Sequence, residues 1–329
     1  MRAVSYGLSV IARLVGIVLA PLAVAQVAFA QAAGGGWSSG RPPECAFEGG
    51  SAANVWERAK SPDLRRYCDL VASAASKLAG TAAMAQAALA AALEADGVLP
   101  GQAAPLVLEG RALAALGKVD AALAALQSGR SRDSAALDDP LALHAWGRVL
   151  ARTGHFSEAL GAYRALLPRT AALSSSERAA CAIEAGLVAM TVGPEGIDDA
   201  VAALREALRE AQDDAATVAV SALAVALDRR GDVSEARALL SDHVRGDPRA
   251  TFEGARARDL LVVAPNEENA LVAFVLEGAD AAGARDAWTR YLAGAGAVAV
   301  AGAGAKSWDA HARAHLAALG AGPAGRRSR

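Results

Sequence analysis

Leu143-x-x-Trp146-Gly147-x-x-Leu150, continued by Gly154-His155-Phe156-x-x-Ala159-Leu160-x-x-Tyr163, is the stretch whose reading decides the fold. Apolar residues recur at three- and four-residue spacing on both sides of Gly154, the mark of two amphipathic helices with a break between them. Gly147, Gly154, Ala159 and Tyr163 stand seven, five and four residues apart. Two helices joined by so short a turn can approach closely only where side chains are small, so Gly147 is expected to face Ala159. Gly154 ends the first helix in a backbone conformation that is costly for residues with a Cβ.

The same spacing returns along the chain. Gly110, Gly117, Ala122 and Leu126 form one set, and Ala224, Gly231, Ala236 and Leu240 another, with Pro248 beyond it. Gly186, Gly193, Ala200 and Leu204 fit if Pro194-Glu195 is inserted in the turn. Ser73, Gly80, Ala85 and Leu89, and Val275, Ala282, Ala287 and Tyr291, are weaker copies. The turn glycines Gly80, Gly117, Gly154, Gly193 and Gly231 lie 37, 37, 39 and 38 residues apart, a regularity that alanine-rich composition does not produce. No single pair buries its apolar face, so pairs must stack. The expectation is an all-α solenoid of about six αα-hairpins over residues 62–319, with an extra helix or ordered loop at 249–264, where the period breaks. The last helix, near 306–319, has no partner after it and reads as a closing cap; 294–305 reads as a loop.

These units resemble the tetratricopeptide repeat family, matching its Trp-x-x-Leu-Gly-x-x-Tyr and Ala-x-x-x-Phe scheme with substitutions. The period exceeds the family's 34 residues, which implies longer loops, such as 131–139, and keeps helical repeats of longer period as the alternative.

Before the solenoid, residues 1–30 read as a secretory signal peptide. Arg2 and Arg13 give a positive start, an apolar stretch runs over 14–27, and Ala28-Phe29-Ala30 is a small-x-small cleavage pattern. The stretch is short for a span of about 20 residues, and Pro21 and Gln26 interrupt it. The expected mature protein is periplasmic or secreted and has no membrane span. Residues 31–61 read as linker and N-terminal segment, rich in Gly and Ser at the start, and 320–329 as a disordered basic tail.

The formal charge is −2, and loss of Arg2 and Arg13 makes it −4, which argues against a nucleic-acid partner. Hydrophobic residues are 53% of the chain and aromatics 4%, the alanine-rich balance of closely packed helices. The oxidising compartment implied by export favours a Cys45–Cys68 bridge, with three unpaired thiols as the alternative. Cys181, in an alanine-rich helix, reads as a small buried apolar residue.

No catalytic constellation is legible, so the chain is read as no enzyme and without cofactor. Gly302-Ala303-Gly304-Ala305-Lys306-Ser307 has Ala305 and Val300 where a phosphate-binding loop needs glycines. His311 and His315 are four apart, but Ala312 replaces the glutamate of a zinc-protease helix and no third ligand is evident, so they read as a surface pair rather than a metal site. Asp198-Asp199 opens a helix and suits its N-terminal dipole.

The resemblance implies a groove lined by the first helix of each pair that accepts an extended peptide or partner protein. Carried onto this sequence, that face holds Arg111, then His144, Arg148 and Arg152, and later Arg229. Arginines suit bidentate carboxylate contacts, so an acidic or C-terminal peptide is the expected ligand. The asparagine and lysine set with which chaperone-binding members of the family clamp a terminal carboxylate is absent. The expectation is thus a non-catalytic scaffold, for example an envelope assembly factor; the alternative is an accessory repeat unit of an enzyme or regulator acting through another subunit.

Overall fold

The computed structural model describes residues 42–45, 62–78, 81–243, 248–257, 259–261, 263–301 and 308–320. Among these residues there are fourteen α-helices and no strand. They are α1 (Pro62–Lys77), α2 (Ala82–Val98), α3 (Ala103–Ala115), α4 (Val119–Arg132), α5 (Pro140–Arg152), α6 (Phe156–Leu166) and α7 (Ser175–Val192). Then follow α8 (Ile197–Glu210), α9 (Asp213–Arg230), α10 (Val233–His243), α11 (Pro248–Ala257), α12 (Pro265–Leu276), α13 (Ala281–Ala301) and α14 (Asp309–Gly320).

Six hairpins account for all but two of these helices: α1/α2, α3/α4, α5/α6, α7/α8, α9/α10 and α12/α13. Their first helices touch one another in series, α1 to α3, α5, α7, α9 and α12, and form one inner layer. Helix α11 is the extra element in the 249–264 region and packs on α9 and α12, and α14 follows α13 as the closing helix. A single apolar cluster runs from Cys45 to Ala312, so the stack shares one interior.

The small residues admit a close approach, but what lies nearest to them is the large fourth residue of each unit rather than the expected alanine. A Cβ on Gly110 would meet Leu126 Cγ at 2.5 Å, on Gly186 Leu204 Cγ at 2.4 Å, and on Gly147 the Tyr163 ring at 3.1 Å. Leu126, Tyr163 and Leu204 therefore lie on the glycine of their own hairpin. Gly117, Gly154 and Gly231 have φ of +74°, +84° and +102°, the left-handed turns that release the chain from the first helix. Gly80 lies outside the described residues.

Local signals fix other boundaries. Asp139 caps α5 by accepting from the Ala142 amide at 3.0 Å, with Pro140 in the first turn. Ser174 and Glu177 form a reciprocal capping box at the start of α7. The inserted Pro194-Glu195 folds into the 3₁₀ turn Pro194–Gly196 before α8, and a Cβ on Gly196 would strike the Ala189 carbonyl oxygen at 2.2 Å.

Two expectations need correction. The last turn lies at 277–280, so Ala282 is in the first turn of α13 and exposed rather than in the bend. Residues 294–301 continue α13 instead of looping. Alanines carry that helix despite its glycines, and Gly294 lets Asn266 approach so closely that a Cβ would meet its Oδ1 at 2.2 Å.

The sulfurs of Cys45 and Cys68 are bonded, tying the turn at 43–45 to α1, and Cys181 is buried. The signal peptide, most of the linker and the basic tail lie outside the described residues. Among the described residues, no helix is long and apolar enough to cross a membrane.

Candidate functional site

A pocket of about 320 Å³ opens on the first-helix layer between α3 and α5. Arg111 of α3 and His144, Arg148 and Arg152 of α5 line it together, with Asp259 from the chain after α11. Four of the five residues expected to form the groove thus meet in one place.

Glu184 of α7, only 2% exposed, organises the pocket from beneath. Because Gly147 carries no side chain, Tyr163 leans against α5, and its hydroxyl donates to Glu184 Oε2 at 2.8 Å. His144 Nε2 meets the same oxygen at 2.7 Å. Arg148 Nε lies 3.2 Å from Glu184 Oε1, a contact ion pair, and Arg148 Nη2 donates to the Asp259 carbonyl at 3.1 Å. Asp259 itself has φ +58°, a left-handed residue after α11.

The electrostatics follow from that burial. Desolvation works against a charge on His144, but the Glu184 carboxylate outweighs it and lifts the imidazole to about 10. Burial pushes Glu184 up, yet His144 and Arg148 together hold it below the usual carboxylate range. The Tyr163 hydroxyl is pushed well up by burial and by the same carboxylate. For Arg111 burial prevails and lowers its value, Asp139 standing 3.9 Å away. Arg152 is exposed at the pocket's edge.

Arg229 does not belong to this face. Its side chain is fully buried at the end of α9. Nη1 donates to Glu267 Oε2 at 2.6 Å and Nη2 to the Tyr291 hydroxyl at 3.2 Å. Its guanidinium also lies over the Trp308 ring at 5.0 Å. A side chain so enclosed cannot reach a ligand. The α12/α13 hairpin and the start of the closing segment have taken that position.

The surface-pair reading of His311 and His315 is likewise corrected. Both rings are partly buried and meet Asp228 Oδ2, at 2.6 Å and 2.9 Å. Trp308, just before α14, donates to the Met190 carbonyl of α7 at 2.8 Å. Glu184, Asp228, Glu267 and Glu277 all escaped the sequence reading. Their one legible signal was an acidic residue on an otherwise apolar helix face, as in Ile183-Glu184-Ala185-Gly186.

No family model and no curated protein matches the chain. Among solved structures, the MamA RS-1 ArsTM double mutant is similar at 19% identity and a TM-score of 0.39, over 64% of this chain and 98% of that one. Among the described residues the chain is an all-helical array of hairpins.

Proposed function

We propose that this chain is an exported, non-catalytic scaffold that binds an acidic or C-terminal peptide segment of a partner protein in the α3/α5 pocket. The observation that carries the reading is the convergence of Arg111, His144, Arg148 and Arg152 on one open cavity. Glu184 holds the His144 and Arg148 side chains in fixed orientations, so a ligand carboxylate meets donors that need little ordering on binding. Arg152, exposed at the edge, supplies a charge free to engage.

Titration with an octaglutamate peptide bearing a free C-terminus, followed by calorimetry, tests this. Arg152→Glu is the chosen variant because it changes charge without touching the buried lock on Glu184. Loss of a charge-assisted contact is expected to weaken binding about tenfold, or ~1.4 kcal/mol, and added salt to weaken it further. Binding that ignores both Arg152→Glu and salt excludes the pocket as the site.

A further inference from the structure

His311 and His315 stand one helical turn apart on α14, so both rings leave the same face of the helix. Their Nε2 atoms are 3.3 Å apart. Both aim at a single oxygen, Asp228 Oδ2, which belongs to α9 and is 83 and 87 residues distant in sequence. We propose that Asp228, His311 and His315 form a binding site for a divalent transition-metal ion of the zinc class, which pins the closing helix α14 onto α9.

The geometry argues for an ion. A tetrahedral zinc ion bound at ~2.0–2.1 Å by each ligand requires ligand atoms about 3.3–3.4 Å apart. The edge between the two histidines already has this length. The two edges to Asp228, at 2.6 and 2.9 Å, reach it by a carboxylate shift of about 0.7–0.8 Å, within the freedom of an aspartate side chain. All three ligating atoms fall within 4.8 Å of one another. The histidine rings remain partly accessible, 19% and 16% exposed, which leaves the fourth tetrahedral position to solvent.

What surrounds the ligands fits the same assignment. Glu277 Oε1 lies 2.6 Å from His315 Nδ1, the carboxylate–histidine pairing that orients a metal-bound imidazole. Glu277 is itself fixed: the Trp288 indole donates to it at 2.8 Å, and Arg237 pairs with its other oxygen. The Trp288 ring stacks on His315 with centroids 5.0 Å apart, which restricts the imidazole further. Arg237 offsets the charge of Glu277 and Glu267 offsets that of Arg229, so the Asp228 charge is left for the ion. Two neutral imidazoles and one carboxylate are a donor set suited to Zn²⁺, Co²⁺ or Ni²⁺ rather than to Mg²⁺ or Ca²⁺, which prefer oxygen. Without an ion, two ring nitrogens in contact with each other crowd one carboxylate oxygen.

The full mature chain, stripped with a chelator and titrated with ZnCl₂, is expected to take up one ion and to melt at a higher temperature when loaded. Replacing zinc by Co²⁺ should give the intense visible bands of a four-coordinate site, a readout that needs no variant. His311→Gln keeps an amide donor toward Asp228 but removes a ligand, so helix content should persist while the ion is lost. Glu277→Gln should retain the one-to-one stoichiometry and weaken affinity about 10–100-fold. Absence of zinc uptake by the folded chain, an octahedral cobalt spectrum, or undiminished uptake by His311→Gln would each overturn the site. The peptide pocket lies on α3 and α5, so either result leaves that reading standing on its own test.

Discussion

Arg152 and Arg229 hold the same place in two hairpins, five residues beyond the small residue of the first helix, Gly147 and Ala224. One is exposed at the edge of an open pocket, and the other is enclosed between Glu267, Tyr291 and Trp308. Repeat position sets the direction in which a side chain leaves its helix; the elements packed over it decide whether it reaches solvent. Over α9 those elements are α11, the α12/α13 hairpin and α14, all C-terminal to the break in the period. Both ends place a buried carboxylate against an arginine and a tyrosine: Glu184 with Arg148 and Tyr163, Glu267 with Arg229 and Tyr291. At α5 the lock underlies a cavity, whereas at α9 it is core.

The largest expected effect comes from removing one partner of the enclosed pair. Glu267→Ala leaves the Arg229 charge buried without compensation and should cost about 3–5 kcal/mol in urea unfolding. Arg152→Ala, at the equivalent open position, should stay within about 0.5 kcal/mol. Equal costs for the two variants would erase the distinction between the ends.

A smaller contrast tests the hairpin contacts themselves. Gly186→Ala drives a Cβ to 2.4 Å from Leu204 Cγ and should destabilise by about 1–3 kcal/mol through overpacking. Gly161, exposed on α6 with nothing near its Cβ direction, should gain up to ~1 kcal/mol on replacement by Ala. Thermal melts of the two variants should move in opposite directions.

The third effect is a pH dependence to which the open end contributes through His144, alongside His315 at the other end. His144 binds its proton more tightly folded than unfolded, about 10 against 6.5. Its contribution to stability is therefore complete below about 6.5 and is lost as pH rises through about 10. The melting temperature should fall over that interval, and His144→Gln should flatten the fall. A slope unchanged in that variant would remove His144 from the lock.

Much of this fold is legible in the sequence because its determinants are local. Gly117, Gly154 and Gly231 mark turns through their own backbone conformations, and Gly110, Gly147 and Gly186 mark close approaches within one hairpin. The period break around 249–264 announces an extra element, and α11 is that element. Its destination was not legible: Asp259 reaches Arg148 across 111 residues, a contact no local pattern encodes. The burial of Arg229 was hidden for the same reason, as were the Asp228 contacts of His311 and His315, which depend on where α14 lands. Residues 294–301 are helical rather than looped because the alanines between the glycines sustain the helix, and Gly294 is needed where Asn266 approaches; 302–305 lie outside the described residues. Four of the expected groove residues come together because α3 and α5, the first helices of successive hairpins, pack side by side; no repeat pattern marks the buried Glu184 that holds two of them.

Arginine footprinting with phenylglyoxal, read by peptide mass spectrometry on the native chain, tests the contrast between the two ends most directly. Arg152 should be modified at close to the rate of free arginine, and Arg229 only once the chain is unfolded in urea. Native modification of Arg229 as fast as that of Arg152 would contradict a first-helix face that is open over α5 and sealed over α9.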